Sequence, residues 1–137
     1  MPNLAVTLTA FLLGSMVFFA AVVTPAVFKF LPRGEAVLYL RGLFPRYYTW
    51  GAISAALAAV AAWPSDITSG IILAAVAVAF LGVRQLLLPQ INVAREGRVA
   101  GNEVASRRFA LLHRLSVLIN LGQMVALVVV LMLVSTG

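Results

Sequence analysis

Cysteine is absent from this sequence, and charged residues are scarce. Without cysteine the chain can form no disulfide, thiolate metal site or thiol nucleophile, so the redox compartment is left open. Only 10% of the 137 residues are Asp, Glu, Lys or Arg, whereas a soluble domain carries about 25%. The composition is 63% hydrophobic and the mean hydropathy is +1.06. These values indicate one membrane domain.

Four long uncharged stretches are separated by short polar or charged segments. Each stretch is about as long as the roughly 20 residues that a helix needs to cross a bilayer. We therefore predict an all-α integral membrane four-helix bundle. We expect the first span to remain in the mature protein rather than to be cleaved as a signal peptide. We also expect a kink in this span at Pro25. Ser65 or Asp66 is a natural N-cap for the third span. The predicted spans cover residues 4–30, 46–63, 66–88 and 104–134.

Two further prolines suggest where the helices begin and end. Pro45 is predicted to open the second span. Residues 35–44 mix polar and apolar positions in the way of a short helix that lies in the membrane interface. Pro89 is predicted to end the third span, with residues 90–102 as a polar loop. Since only the first span looks broken, the paired broken helices of an inverted-repeat transporter are not expected.

All ten Lys and Arg residues lie in two segments, between the first and second uncharged stretches (1–28 and 47–65) and between the third and fourth (67–83 and 115–137). The positive-inside rule then predicts a multi-pass protein of the inner cell membrane, with both basic segments cytoplasmic and both termini outside. A net charge of +6 does not indicate nucleic acid, because no nucleic-acid motif accompanies it. The predicted partner is the lipid bilayer. Anionic headgroups are expected at four arginines near the cytoplasmic mouth, unless these only signal topology: Arg33, Arg46, Arg84 and Arg114.

The fourth span carries a polar stripe, whose members are spaced by three, four and three residues and so share one helical face. They are His113, Ser116, Asn120 and Gln123. Polar groups within the membrane need partners inside the bundle. The stripe is either a solute-binding groove or interhelical hydrogen bonding that holds the helices together. Three residues of other spans are predicted to complete the groove: Thr24, Tyr47 and Ser54. We predict no catalytic residue and no metal site.

Two motifs occur in a set order along the chain. The first is Leu31-Pro32-Arg33 followed by Leu43-Phe44-Pro45-x-Tyr47, and the second is His113-x-Leu115-Ser116-x-Leu118-x-Asn120-Leu121. Together they resemble the transmembrane-protein-205-like family, whose bacterial branch is a domain of unknown function. That family is distantly similar to CopD-like membrane proteins, some of which handle copper or bind haem. The resemblance implies a four-helix membrane bundle and marks eight candidate positions: Pro32, Arg33, Phe44, Pro45, Tyr47, His113, Ser116 and Asn120.

Three functions are open on the sequence alone. The favoured one is a non-enzymatic membrane protein that binds or transports a small solute, with a homo-oligomer expected if four spans are too narrow for a pathway. The second is a haem-binding redox protein of CopD-like type, with His113 as an axial ligand. Its other ligand would be Met16, Met124 or a residue of a second subunit. The third is an accessory or scaffold subunit of a membrane complex.

Overall fold

A computed structural model of the protein describes residues 2–136, and all the regular elements in that range are helical. The α-helices are α1 (Pro2–Phe18), α2 (Thr24–Phe30), α3 (Arg33–Ala62), α4 (Ile67–Gly82), α5 (Leu88–Val99) and α6 (Glu103–Thr136). A π turn joins α1 to α2 at Phe19–Val23 and α4 to α5 at Val83–Leu87. The chain therefore forms four rods: rod 1 (α1 and α2), rod 2 (α3), rod 3 (α4 and α5) and rod 4 (α6). The predicted all-α class is confirmed, and the four rods fit the predicted bundle.

Three rods are long and apolar enough to cross a membrane, which indicates a membrane protein. The segments are Asn3–Phe30, Ile67–Val99 and Glu103–Ser135. Within residues 2–136, rod 2 is less apolar because its first half is charged and its second half is rich in alanine. Rod 2 packs against α1, α2 and α4. Its alanines are mostly buried in those contacts.

Each π turn is followed at once by a proline. The residues before Pro25 and Pro89 donate their N–H groups to the carbonyls five residues earlier. A proline donates no hydrogen bond and its ring crowds the preceding turn, so a wider turn lets each rod continue. The prediction that only the first span is broken is therefore wrong. Rods 1 and 3 carry the same break and, with one antiparallel rod between them, run in the same direction.

The segment after Pro89 is helical, so the polar loop predicted for residues 90–102 is wrong. Pro89 stands in the first turn of α5, where a helix needs no N–H donor. The chain turns only after this helix, at Gly101, whose φ of 88° suits glycine. Asn102 then caps α6, with its Oδ1 accepting hydrogen bonds from two backbone N–H groups of the first turn.

Helix α3 runs without a break through the residues predicted to form a separate interfacial helix, 35–44, so that prediction is wrong. Pro45 lies inside this helix rather than at its start. Its carbonyl accepts two hydrogen bonds, from the Thr49 hydroxyl at 2.8 Å and from Arg84 Nε at 3.3 Å. The second bond links rod 2 to the π turn of rod 3.

Rods 2 and 3 form a tight hairpin. Asp66 caps α4 by accepting a hydrogen bond from the Thr68 N–H, which confirms one of the two predicted caps. Small residues on α3 let α4 approach closely. A Cβ atom added at Gly51 would lie 2.5 Å from the fully buried Phe80 ring. The close approach at Gly51 therefore sets where the Phe80 ring lies.

Rods 1 and 4 touch along only part of their length. Helix α1 packs against both α3 and α6, whereas α2 packs mainly against α3. Fully buried Leu12 and Met16 on α1, with Leu127 and Val130 on α6, fill the half of the bundle where these rods meet. From the first π turn onward the two rods separate, and the gap opens a cleft in the side of the bundle.

Candidate functional site

The cleft between rods 1 and 4 has a volume of about 490 Å³, and residues of all four rods line it. Small-molecule sites commonly measure about 300–1,000 Å³. Its floor is buried and consists of Tyr47, Tyr48, Leu88, Ile91 and Ser116. Its rim includes Val17 of rod 1 and Leu121 of rod 4, which are 49% and 51% exposed. The cleft therefore opens sideways, between two rods that are apolar enough to be surrounded by lipid.

Five of the seven predicted solute-binding residues line this cleft, namely Thr24, Tyr47, His113, Ser116 and Asn120. The Tyr47 hydroxyl donates a hydrogen bond to Asn120 Oδ1 at 2.9 Å. The Ser116 hydroxyl donates to the backbone carbonyl of His113 at 2.7 Å. The amide N–H groups of Asn120 have no protein acceptor among residues 3–135. They are free to donate to a ligand or to water.

Two predicted residues lie outside the cleft. Gln123 is buried, and its Nε2 donates to the backbone carbonyl of Val76 at 3.1 Å, which links α6 to α4. Ser54 is buried in α3, two turns beyond Tyr47. The polar stripe of the fourth span is thus divided: its first three residues line the cleft, whereas Gln123 makes the interhelical hydrogen bond that the alternative interpretation of the stripe describes.

An aromatic cluster holds Tyr47 in place. Its ring stacks on Phe19 of the first π turn, with ring centroids 4.2 Å apart. Phe44 and Phe80 lie beyond it, with Phe19–Phe44 centroids 5.5 Å apart and Tyr47–Phe80 centroids 6.0 Å apart. Contacts of this kind favour defined ring positions. The cluster therefore orients the Tyr47 hydroxyl toward Asn120.

Arg95 also lines the cleft, although the sequence does not single it out among ten basic residues. Because residues 90–102 were predicted to be a loop, Arg95 was not assigned to a helical face. Leu88, Ile91 and Arg95 are spaced by three and four residues and share one face of α5. Continuing the helical pattern past the proline is the signal that would have found Arg95. Tyr48 was missed for another reason, because aromatic residues near a span end are typical of membrane interfaces.

The Arg95 end of the cleft is positively charged. The Arg95 and Arg98 guanidinium carbons each lie 5.3 Å from the centre of the Phe109 ring, and the His113 ring stacks on the same phenylalanine. The nearby Glu96 forms an ion pair with Arg41 at 2.7 Å. Among residues 3–135, no carboxylate lies within ion-pair distance of Arg95. The protein therefore leaves the Arg95 charge unbalanced at the wall of the cleft.

The residues present do not build a haem site with two axial ligands in one chain. His113 and Met124 both line the cleft, but they are eleven residues apart on α6, roughly 16 Å along the helix axis. Axial ligands must approach one iron from opposite sides. Met16 is fully buried in the contact between α1 and α6 and lies outside the cleft. Within residues 2–136, no three His, Asp or Glu side chains are grouped as a metal site would need.

Two of the four arginines predicted at lipid headgroups lie together. Arg46 and Arg84 line a second, more open groove of about 560 Å³ beside Pro45 and Trp50. The Arg46 guanidinium also donates a hydrogen bond to the backbone carbonyl of Gly42, one turn earlier, at 3.2 Å. The other two predicted arginines, Arg33 and Arg114, line neither the cleft nor this groove.

Comparison with known proteins identifies a family but no activity. The family model described as "Domain of unknown function (DUF4149)" matches residues 7–100. The match covers rods 1 to 3 and ends before α6, which supplies His113, Ser116 and Asn120 to the cleft. No curated protein and no solved structure matches the chain. The resemblance to transmembrane-protein-205-like and CopD-like proteins therefore stays a prediction.

Proposed function

The chain belongs to the DUF4149 family, and because the description of that family names no activity, we propose a function from the cleft itself. The protein is a small membrane protein that binds a small solute between rods 1 and 4. One observation carries the proposal: polar side chains of all four rods converge on one cleft of ligand size. Such a combination of an apolar wall and a few convergent polar groups is typical of small-molecule sites.

The cleft differs from a purely structural polar contact. Gln123 illustrates the structural case, because its donor is paired with a backbone carbonyl. In the cleft, the Asn120 amide group has no protein acceptor and Arg95 has no carboxylate partner among residues 3–135. Unpaired polar groups beside apolar surface are costly. A bound solute would satisfy both of them.

The geometry supports binding ahead of transport. The cleft occupies only the half of the bundle nearest the basic segments. In the other half, Leu12, Met16, Leu127 and Val130 fill the space between rods 1 and 4 and are fully buried. Passage of a solute would require these side chains to move apart, whereas binding requires no change of the fold.

Filling the cleft is expected to weaken binding. Ala21 lies on the exposed rim, so Ala21→Trp places an indole in the cleft without disturbing the core. We expect the adducts of dodecylglycerol and of dodecyl phosphate, measured by native mass spectrometry on the purified full chain, to fall about tenfold, as a loss of roughly 1.4 kcal/mol would produce.

Ala56→Trp is the matched control, because Ala56 is exposed on α3 and lines neither the cleft nor the second groove. It should bind both probes as the unaltered protein does, with the same thermal unfolding midpoint. Equal binding by the Ala21 and Ala56 variants would mean that the probes do not occupy the cleft, and the proposed function would fail.

A further inference from the structure

The lining of the cleft changes in character from one end to the other. Arg95 and His113 lie at one end. Met124 of the same helix as His113 lies eleven residues away, roughly 16 Å along the helix axis. Exposed Val17 and Leu121 line the cleft near Met124. A molecule that fills the cleft therefore meets a cation at one end and aliphatic side chains at the other.

The charged end has the features of a site for an anion. Arg95 is partly buried beside Phe109, and Arg98 lies against the same ring. Because Glu96 pairs with Arg41 instead, the positive charge of Arg95 is not cancelled from within the protein. A guanidinium presents several N–H donors in a planar fork that matches a carboxylate or a phosphate. A cationic head would be repelled at this position.

The apolar end is reached from the side. Rod 1 leaves rod 4 at the π turn, and the residues along the gap are exposed and apolar: Val17, Ala20, Ala21, Val117 and Leu121. This gap faces outward from two rods that are apolar enough to span a membrane. An alkyl chain can therefore enter from the bilayer without crossing a polar surface.

We infer that the cleft binds a single-chain amphiphile with an anionic head, either a carboxylate or a phosphate. The head lies at Arg95, at the end of the cleft beside His113. The alkyl chain lies between rods 1 and 4, toward Val17, Leu121 and Met124. This inference rests on the proposed function and narrows it to one chemical class of ligand. A free anion would not contact the aliphatic end of the cleft, whereas the alkyl chain of an amphiphile would.

The test compares three probes on the purified full chain in a nonionic detergent. Dodecyl phosphate carries the head and the tail, dodecylglycerol carries the same tail with a neutral head, and inorganic phosphate carries the head alone. Native mass spectrometry separates each adduct by its mass. We expect dodecyl phosphate to bind about tenfold more tightly than dodecylglycerol, as one charge-assisted hydrogen bond would produce. Excess inorganic phosphate should not displace it.

Removing the Arg95 charge should remove this preference. In Arg95→Gln, dodecyl phosphate binding is expected to fall about tenfold to the level of dodecylglycerol. Arg98→Gln is the matched control: it removes an arginine of the same helix that contacts the same ring but does not line the cleft. The control should keep the preference. Arg95→Lys keeps the charge and should retain most of the preference for dodecyl phosphate. This variant distinguishes an effect of charge from a loss of the fold.

Two results would overturn the inference. Equal binding of the neutral and anionic probes, with both lost in Ala21→Trp, would leave the proposed function standing and remove the anionic head. Displacement of dodecyl phosphate by excess inorganic phosphate would assign Arg95 to a soluble anion instead. If Ala21→Trp retains both adducts in full, the proposed function fails and the inference fails with it.

Discussion

A single cysteine placed at Ser65 is expected to react with a membrane-impermeant maleimide only in right-side-out membrane vesicles, and one placed at Ala100 only in inverted vesicles. Both residues are exposed and lie in turns at opposite ends of the bundle. Basic residues lie in the segments before and after Ala100, whereas the Ser65 turn has only Asp66. The positive-inside rule therefore predicts that Ala100 faces the cytoplasm.

Because the sequence contains no cysteine, the introduced thiol is the only one that can react with the maleimide. The unaltered chain supplies the control, since it should take up no label from either side. Solubilised vesicles should label at both positions, which shows that each thiol is reactive. A reversed pattern would invert the proposed orientation, and labelling of both positions from one side would contradict a chain that crosses the membrane between them.

Gly51→Ala is expected to lower the free energy of unfolding by about 1–3 kcal/mol, as overpacking of a filled core does. The added Cβ would lie 2.5 Å from the Phe80 ring, and that ring is fully buried. Phe80 also packs against Tyr47 and Tyr48 in the floor of the cleft. The substitution should therefore weaken dodecyl phosphate binding as well as the fold.

Gly82→Ala is the matched control, because an added Cβ there meets nothing within 4 Å. Since alanine favours a helix over glycine by about 0.5–1 kcal/mol, this variant should be slightly more stable than the unaltered protein. The two substitutions thus have opposite expected signs in a thermal unfolding experiment. Stabilisation by Gly51→Ala would show that α3 and α4 are not in close contact at this position.

Charge and hydropathy patterns predicted the helices and the hairpin because these properties depend on local sequence. The uncharged runs required helices, and Asp66 capped α4 as its position before an apolar run predicts. The prolines were misleading. Pro45 and Pro89 indicate helix starts and ends in isolation, yet α3 continues through the first and rod 3 continues past the second. A π turn lets rod 3 continue past Pro89, and this turn is not visible in the sequence.

The candidate site was predictable in part. His113, Ser116 and Asn120 could be grouped because helical spacing alone puts them on one face. The same spacing included Gln123, which the tertiary structure assigns to a contact with α4 instead. Arg95 was not predicted, since its place beside His113 requires α5 and α6 to lie next to each other. A face of one helix is a local property, but which neighbour covers each part of that face is not.

The sequence by itself determined that this is a helical protein with apolar rods, basic residues at one end and a polar stripe on the last helix. Only the tertiary structure decided that the stripe borders a cleft and that Arg95 gives this cleft a charged end. The physical reason is where rods 1 and 4 separate. That point depends on the π turn before Pro25 and on the packing of α2 against α3 rather than α6. Contacts between distant segments, and not local preferences, create the site.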